Sequence, residues 1–213
     1  MPRISKKSGS YHHGDLRRVL LDAAVRVVEK EGVAGLSLHA LAQKAGVSSG
    51  APYHHFESRE ELLRAIAVEG FLLLAADMKR GAEEAEGALG CAEKPSAAHL
   101  RGLGLGYVRF ALAHPGHFRI MFRPELKALL RKSKELVVDE AFGLLESAIT
   151  RCQAEGILPA GDPRPLVLVA WSTVHGASVL WVDGPLSGEN LVQDAESLAP
   201  VVADTLARLL FGP

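Results

Sequence analysis

Ser48, Ser49, Tyr53, His54 and His55 lie within one stretch of eight residues. Each offers a hydroxyl or a ring nitrogen, the groups that hydrogen-bond phosphate oxygens and base edges. Gly50 and Ala51, set among them, let a backbone come close to an opposing surface. No nucleophile elbow, carboxylate pair or metal-ligand spacing accompanies the group. The neighbours His54 and His55, like His12 and His13, would point to different faces of a helix, which argues against a metal site. The chemistry on offer is recognition of a nucleic acid, with no catalytic role and no cofactor expected.

These side chains need a scaffold, and the preceding residues describe one. Leu38, Leu41, Ala42 and Ala45 recur at i, i+3, i+4 and i+7, the apolar face of a short helix. Ser37 stands at its N-cap and Gly46 where a C-terminal glycine belongs. Val47 plugs the turn, and Ser48 or Ser49 caps a second short helix around residues 48–54. Pro52 is compatible with that helix only in its first turn. Two short helices joined by a tight turn form a helix-turn-helix, whose second helix enters the major groove. Ser37, Ser48, Tyr53, His55 and Arg59 are the candidate phosphate contacts, and Ser49, Gly50, Ala51 and His54 the candidate base readers. Such small readers leave part of the specificity to DNA shape. Arg3, Lys6 and Lys7 form a basic arm over residues 1–13 that could reach an adjacent minor groove. Phe56 reads as core, and Ser58 to Glu61 as a capping box that launches a long connector helix.

Three stretches, HGDLRRVLLDAAVRVVEKEG (13–32), SLHALAQKAGVSSGAPYHHF (37–56) and ESREELL (57–63), resemble the N-terminal domain of the tetracycline-repressor (TetR) family of bacterial regulators. Two later stretches are similar to the Trp…His-Gly class of C-terminal domain within it. These are Tyr107 to Phe122, with Tyr107, Phe110, Phe118, Met121 and Phe122, and Trp171 to Gly176, with Trp171 and His175 on one helix face. The resemblance implies a homodimer paired through its last two helices, double-stranded DNA as partner, repression, and a small-molecule effector held by the other C-terminal helices. The residues above, together with Phe142, are the candidate lining of that effector pocket, His175 being its polar handle.

The bulk numbers agree with a modular binder. Net charge is −1, but residues 1–64 carry ten Lys/Arg against seven Asp/Glu and the remainder fourteen against eighteen. Cys91 and Cys152 are too few for a disulfide framework and read as reduced thiols. The basic, polar N-terminal stretch has no apolar segment of signal-peptide type, so a cytoplasmic protein is expected. Pro165 to Val182 has no charged residue over nearly a bilayer's length, yet its Ser, Thr, His and Gly content suits a protein interface better than lipid. Gly102, Gly104 and Gly106 imitate a dinucleotide fingerprint, but Tyr107 stands in place of the last glycine and no strand precedes them.

Helical periodicity runs throughout, predicting an all-α fold of about nine helices: an arm (1–13), a DNA-binding domain (14–63), a connector helix (64–86) and a helical body (87–213). The body is expected to include a single long helix over 125–156 and a last helix over 190–210. Two other readings stand beside the regulator: an architectural DNA binder without ligand response and, below it, an enzyme acting on small molecules.

Overall fold

A computed structural model describes residues 13–88, 94–132, 137–184, 186, 192 and 194–211. Among these residues there are nine α-helices, three 3₁₀ turns and no strand, the all-α architecture expected. Contacts divide the chain into two units at Ile66/Ala67. The arm residues Arg3, Lys6 and Lys7, and the loop thiol Cys91, lie outside the described residues.

The first unit contains α1 (His13–Glu31), a 3₁₀ turn (Val33–Gly35), α2 (Leu38–Ala45) and a second 3₁₀ turn (Ala51–His54). Leu20, Ala24, Val27 and Val28 from α1 are buried, as are Leu38, Leu41 and Ala42 from α2. Burial of such side chains stabilises each by roughly 1.5–3 kcal/mol for the larger residues. Ser37 caps α2, accepting the Ala40 N–H at 3.1 Å. Gly46 ends it at φ 68°, and the Val47 N–H reaches back to the Ala42 carbonyl at 3.0 Å. That left-handed step is cheap for glycine and turns the chain sharply.

Helix α3 (Arg59–Gly87) opens in the first unit and continues into the second. Its start is capped as the sequence suggested: the Ser58 hydroxyl accepts the Glu61 N–H at 3.2 Å. The returning carboxylate of Glu61 takes the N–H of Glu57 at 2.6 Å, one residue earlier than an ideal capping box.

In the second unit α4 (Pro95–Ala113) is packed against α7 (Val137–Ala154), α8 (Arg164–Val182) and α9 (Ala195–Phe211). Helix α5 (Pro115–Met121) follows the break at His114, and α6 (Lys127–Lys132) precedes α7. The single helix expected over 125–156 is replaced by a 3₁₀ turn (Pro124–Leu126), α6 and α7, with residues 133–136 outside the described set. Cys152 is buried on α7, where its thiol donates to the Ser96 carbonyl at 3.3 Å.

The glycines of α4 have a packing reason. A Cβ at Gly102 would sit 2.4 Å from the Gly81 carbonyl oxygen of α3, and one at Gly106 would sit 2.2 Å from that of Asp77. The backbones of α3 and α4 therefore touch with no side chain between them, which offsets the roughly 1 kcal/mol that each helical glycine costs relative to alanine. Gly104, between them, faces Ala203 and Val174 at ordinary contact distance.

Candidate nucleic-acid interface and aromatic chamber

The helix expected at 48–54 is shorter than the sequence suggested. Only Ala51–His54 forms a regular turn, and it is 3₁₀. Pro52 supplies the reason. An α-helix beginning at Ser48 needs the N–H of residue 52 to donate to the Ser48 carbonyl, and proline has none. Instead the Ala51 N–H takes that carbonyl at 3.0 Å, the tighter i→i+3 bond. Gly50 is the N-cap and no side chain caps the turn, so the expected hydroxyl cap from Ser48 or Ser49 does not form.

The short turn nevertheless sorts its residues by face. Pro52 and Phe56 are buried, with the Arg17 guanidinium 5.2 Å from the Phe56 ring centre. Ser37, Ser48, Ser49, Gly50, Tyr53 and His54 are exposed, Tyr53 at 55%, while Ala51 and His55 are half-buried. Two further exposed side chains, His39 and Gln43 on α2, bond one another at 3.1 Å beside this row. They sit away from the buried Leu38/Leu41 face, a placement that the helical period of α2 already carries. Arg59 is half-buried and bonded to backbone. Its Nε donates to the Leu36 carbonyl at 2.8 Å and its Nη2 to that of Val33 at 2.7 Å. The guanidinium thus ties the first residue of α3 to the segment that leads into the Ser37 cap.

In the second unit five of the proposed pocket residues meet. The Tyr107 and Trp171 rings are 5.3 Å apart at 70°, Phe118 and Phe122 are 5.6 Å apart, and Phe122 lies 4.6 Å from His175. Such edge-to-face pairs each contribute about 0.5–1.5 kcal/mol beyond their buried area. Within this cluster the Tyr107 hydroxyl and His175 Nδ1 are hydrogen-bonded at 2.8 Å. Burial pushes the Tyr107 phenol well above its usual value and holds the His175 imidazole below the usual histidine range, so both are neutral at pH 7. Phe142 lies 5.2 Å from Trp171 at a tilt of 41° and remains 46% exposed.

Two proposed lining residues fall elsewhere. Phe110 is buried against the His114 ring, and Met121 lies beneath Gly70, where a Cβ would meet its Sδ at 2.8 Å. A narrow cavity of about 30 Å³ adjoins the cluster, sharing Tyr107 and Trp171 with it and lined otherwise by residues such as Leu103, Leu145, Val174 and Leu206. Those aliphatic residues carry no sequence signal that separates a cavity wall from a filled core. Arg101 is the charged residue of that lining, and its Nη1 is 3.4 Å from Asp204 Oδ1. No group of three or more His, Cys, Asp or Glu placed to hold a metal occurs among the described residues.

Residues 20–66 match the family described as bacterial regulatory proteins of the tetR family, and residues 100–206 match the tetracyclin repressor-like C-terminal domain. The chain belongs to the TetR family.

Its relatives are transcriptional regulators rather than enzymes. YobS of Bacillus subtilis, an uncharacterised helix-turn-helix regulator, is 30% identical over 60% of each chain. The chain spans that 60% of YobS and only 23–39% of the other curated relatives it matches. A Rhodococcus sp. RHA1 protein of unknown function is 37% identical, with TM-score 0.72, over 96% of this chain and all of that one. The AibR complex with isovaleryl coenzyme A and operator DNA shares the fold at TM-score 0.64 and 18% identity, over 92% of this chain and 98% of AibR.

A pH effect follows for this TetR-family chain. His175 is neutral when folded, and its imidazole titrates below the ordinary 6.5 of the unfolded chain. As pH falls through about 6.5 the unfolded state takes up the proton first, so stability is lost there until the folded imidazole also protonates. Thermal unfolding followed from about pH 7 to about pH 5 should show a steeper fall for wild type than for His175→Asn. Parallel curves for the two proteins would refute this account.

Proposed function

We propose that the chain is a ligand-responsive transcriptional repressor acting in the cytoplasm, bound to a palindromic operator as a homodimer. The observation that carries the DNA-binding part is the exposed row Ser37, Ser48, Ser49, Gly50, Tyr53 and His54, with Pro52 and Phe56 of the same turn facing inward. Hydroxyl and imidazole groups on such a turn suit phosphate oxygens and base edges. Arg3, Lys6 and Lys7 would add charge from the arm, and His39 and Gln43 add hydrogen-bonding groups from α2. Arg59 acts in this reading by holding α3 to the entrance of α2 rather than by neutralising a phosphate.

Pairing through α8 and α9 is supported by their exposed apolar side chains. Leu168, Val169 and Leu180 on α8, and Val201 and Leu209 on α9, are 45–78% exposed. Helix α8 is long and apolar enough to cross a membrane, with only 22% of its most apolar window buried within the chain. A symmetric partner covering both helices removes that surface from water and sets two helix-turn-helix units for two half-sites. Ligand response is supported by the aromatic chamber beside a cavity, in a fold shared with AibR, which has been seen in complex with isovaleryl coenzyme A and operator DNA. An effector releases DNA only if it binds the DNA-incompetent arrangement more tightly.

The test is fluorescence anisotropy on a duplex selected from a random library, against a scrambled duplex, titrated in salt. Tyr53→Ala should weaken binding to the selected duplex about tenfold and leave the salt slope unchanged, because a neutral phenol on a phosphate releases no counterion. Arg59→Gln should leave the salt slope unchanged while lowering thermal stability. Equal, steeply salt-dependent binding to both duplexes would favour the architectural reading, and no binding to either would sink the proposal.

A further inference from the structure

We infer that the effector is an uncharged aromatic molecule with one hydrogen-bonding group, seated between Tyr107, Trp171 and Val174 and inserted into the hydrogen bond between the Tyr107 hydroxyl and His175. This rests on reading the second unit as the effector-binding body.

Charge complementarity leads to the class. Tyr107 and His175 are both neutral, and the one charged residue among the cavity lining, Arg101, already has Asp204 at 3.4 Å. A carboxylate or ammonium entering here would lose its hydration against Leu, Val, Ala and aromatic walls without gaining an opposite charge. An uncharged ring loses nothing of the kind. The shape points the same way. Tyr107 and Trp171 stand at 70° to each other, so a planar guest can meet the face of one and the edge of the other. The cavity of about 30 Å³ is smaller than a benzene ring needs, so a side chain must give way. Trp171 is the one placed to do so: it is half-buried, and the ring on its outer side, Phe142, is itself 46% exposed.

The hydrogen bond supplies the selectivity and the signal. Tyr107 OH and His175 Nδ1 satisfy one another at 2.8 Å. A guest hydroxyl can insert into that pair, donating to one partner and accepting from the other so that two bonds replace one, whereas a hydrocarbon of the same shape must leave the pair closed. Tyr107 directly follows Gly106, at which the backbone of α4 abuts the Asp77 carbonyl of α3. A displacement of Tyr107 therefore bears on α3 with no flexible side chain to absorb it, and α3 is the helix that runs back to Arg59.

Isothermal titration calorimetry on the full-length protein tests this with para-ethylphenol, ethylbenzene, para-ethylbenzoate and para-ethylbenzylamine. Operator affinity is measured on the same preparation. The phenol is expected to bind at least about tenfold more tightly than either ion, and about five- to tenfold more tightly than ethylbenzene, the worth of one net hydrogen bond. His175→Ala should erase the phenol's advantage over ethylbenzene, and His175→Gln, which keeps a hydrogen-bonding group, should restore part of it. Tighter binding of the benzoate, lost in Arg101→Gln, would overturn the proposal in favour of an anionic effector. Failure of all four probes to bind while operator affinity stays intact would also overturn it, leaving the DNA-binding reading standing. Loss of both would count against the two together.

Discussion

Gly106→Ala is expected to lower the melting temperature by roughly 6–12 °C, the equivalent of about 3 kcal/mol in a chain of this size. The added methyl would lie 2.2 Å from the Asp77 carbonyl oxygen and 2.7 Å from the Met78 Cα, and both belong to backbone. Rotamer changes cannot relieve such an overlap, so α3 and α4 must move apart along their contact. Separation would also loosen the packing around Gly102, whose added Cβ would meet the Gly81 carbonyl at 2.4 Å. Gly143→Ala on α7 is the control. Its methyl would meet nothing within 4 Å, and removing a helical glycine should raise stability by up to about 1 kcal/mol. Circular-dichroism melts of the two variants should therefore shift in opposite directions. A Gly106→Ala melt within about 2 °C of wild type would show that the helices do not touch as described.

The double substitution Val201→Glu with Leu209→Glu should convert a dimer to a monomer and weaken operator binding by about 100-fold or more, because the second half-site is no longer held by the first. Both side chains lie on α9 and are 47% and 78% exposed in the single chain. A carboxylate at either position stays hydrated in a monomer but would be buried without a partner in a symmetric interface. Leu72→Glu, on α3 and 49% exposed, is the matched control and should leave the assembly unchanged. Sedimentation velocity reads the assembly and anisotropy the affinity. A double variant that sediments as a dimer would remove α9 from the interface and with it the proposed pairing.

Much of the first unit was legible from local chemistry. Ser37, Gly46 and Ser58 act through bonds to residues within four positions of themselves, so their spacing in the chain already contains the geometry. The face of α2 likewise follows from a period of 3.6 residues. Pro52 restricts the second helix more than its compatibility with a first turn suggests: the missing donor at one position shortens the whole expected helix to a 3₁₀ turn. Arg59 illustrates the opposite limit. Its type and position suit a phosphate, and nothing local announces that the carbonyls of Val33 and Leu36, more than twenty residues earlier, lie within its reach.

The same division runs through the second unit. Trp171 and His175 share a face by helical spacing alone, and the break at His114-Pro115 marks a helix end in any context. That Tyr107 on α4 bonds His175 on α8, while Phe110 three residues along α4 turns to His114 instead, depends on how helices distant in sequence cross. The alternation Gly102, Gly104, Gly106 had several readings in one dimension, and only the closeness of α3 selects backbone contact among them. By itself the sequence determined most of the helices and the caps at Ser37, Gly46 and Ser58, because those depend on neighbours along the chain. The tertiary structure alone decided which rings share a chamber, which cation is spent on backbone and where two helices meet without side chains, because those distances are set by packing between segments that the sequence does not place side by side.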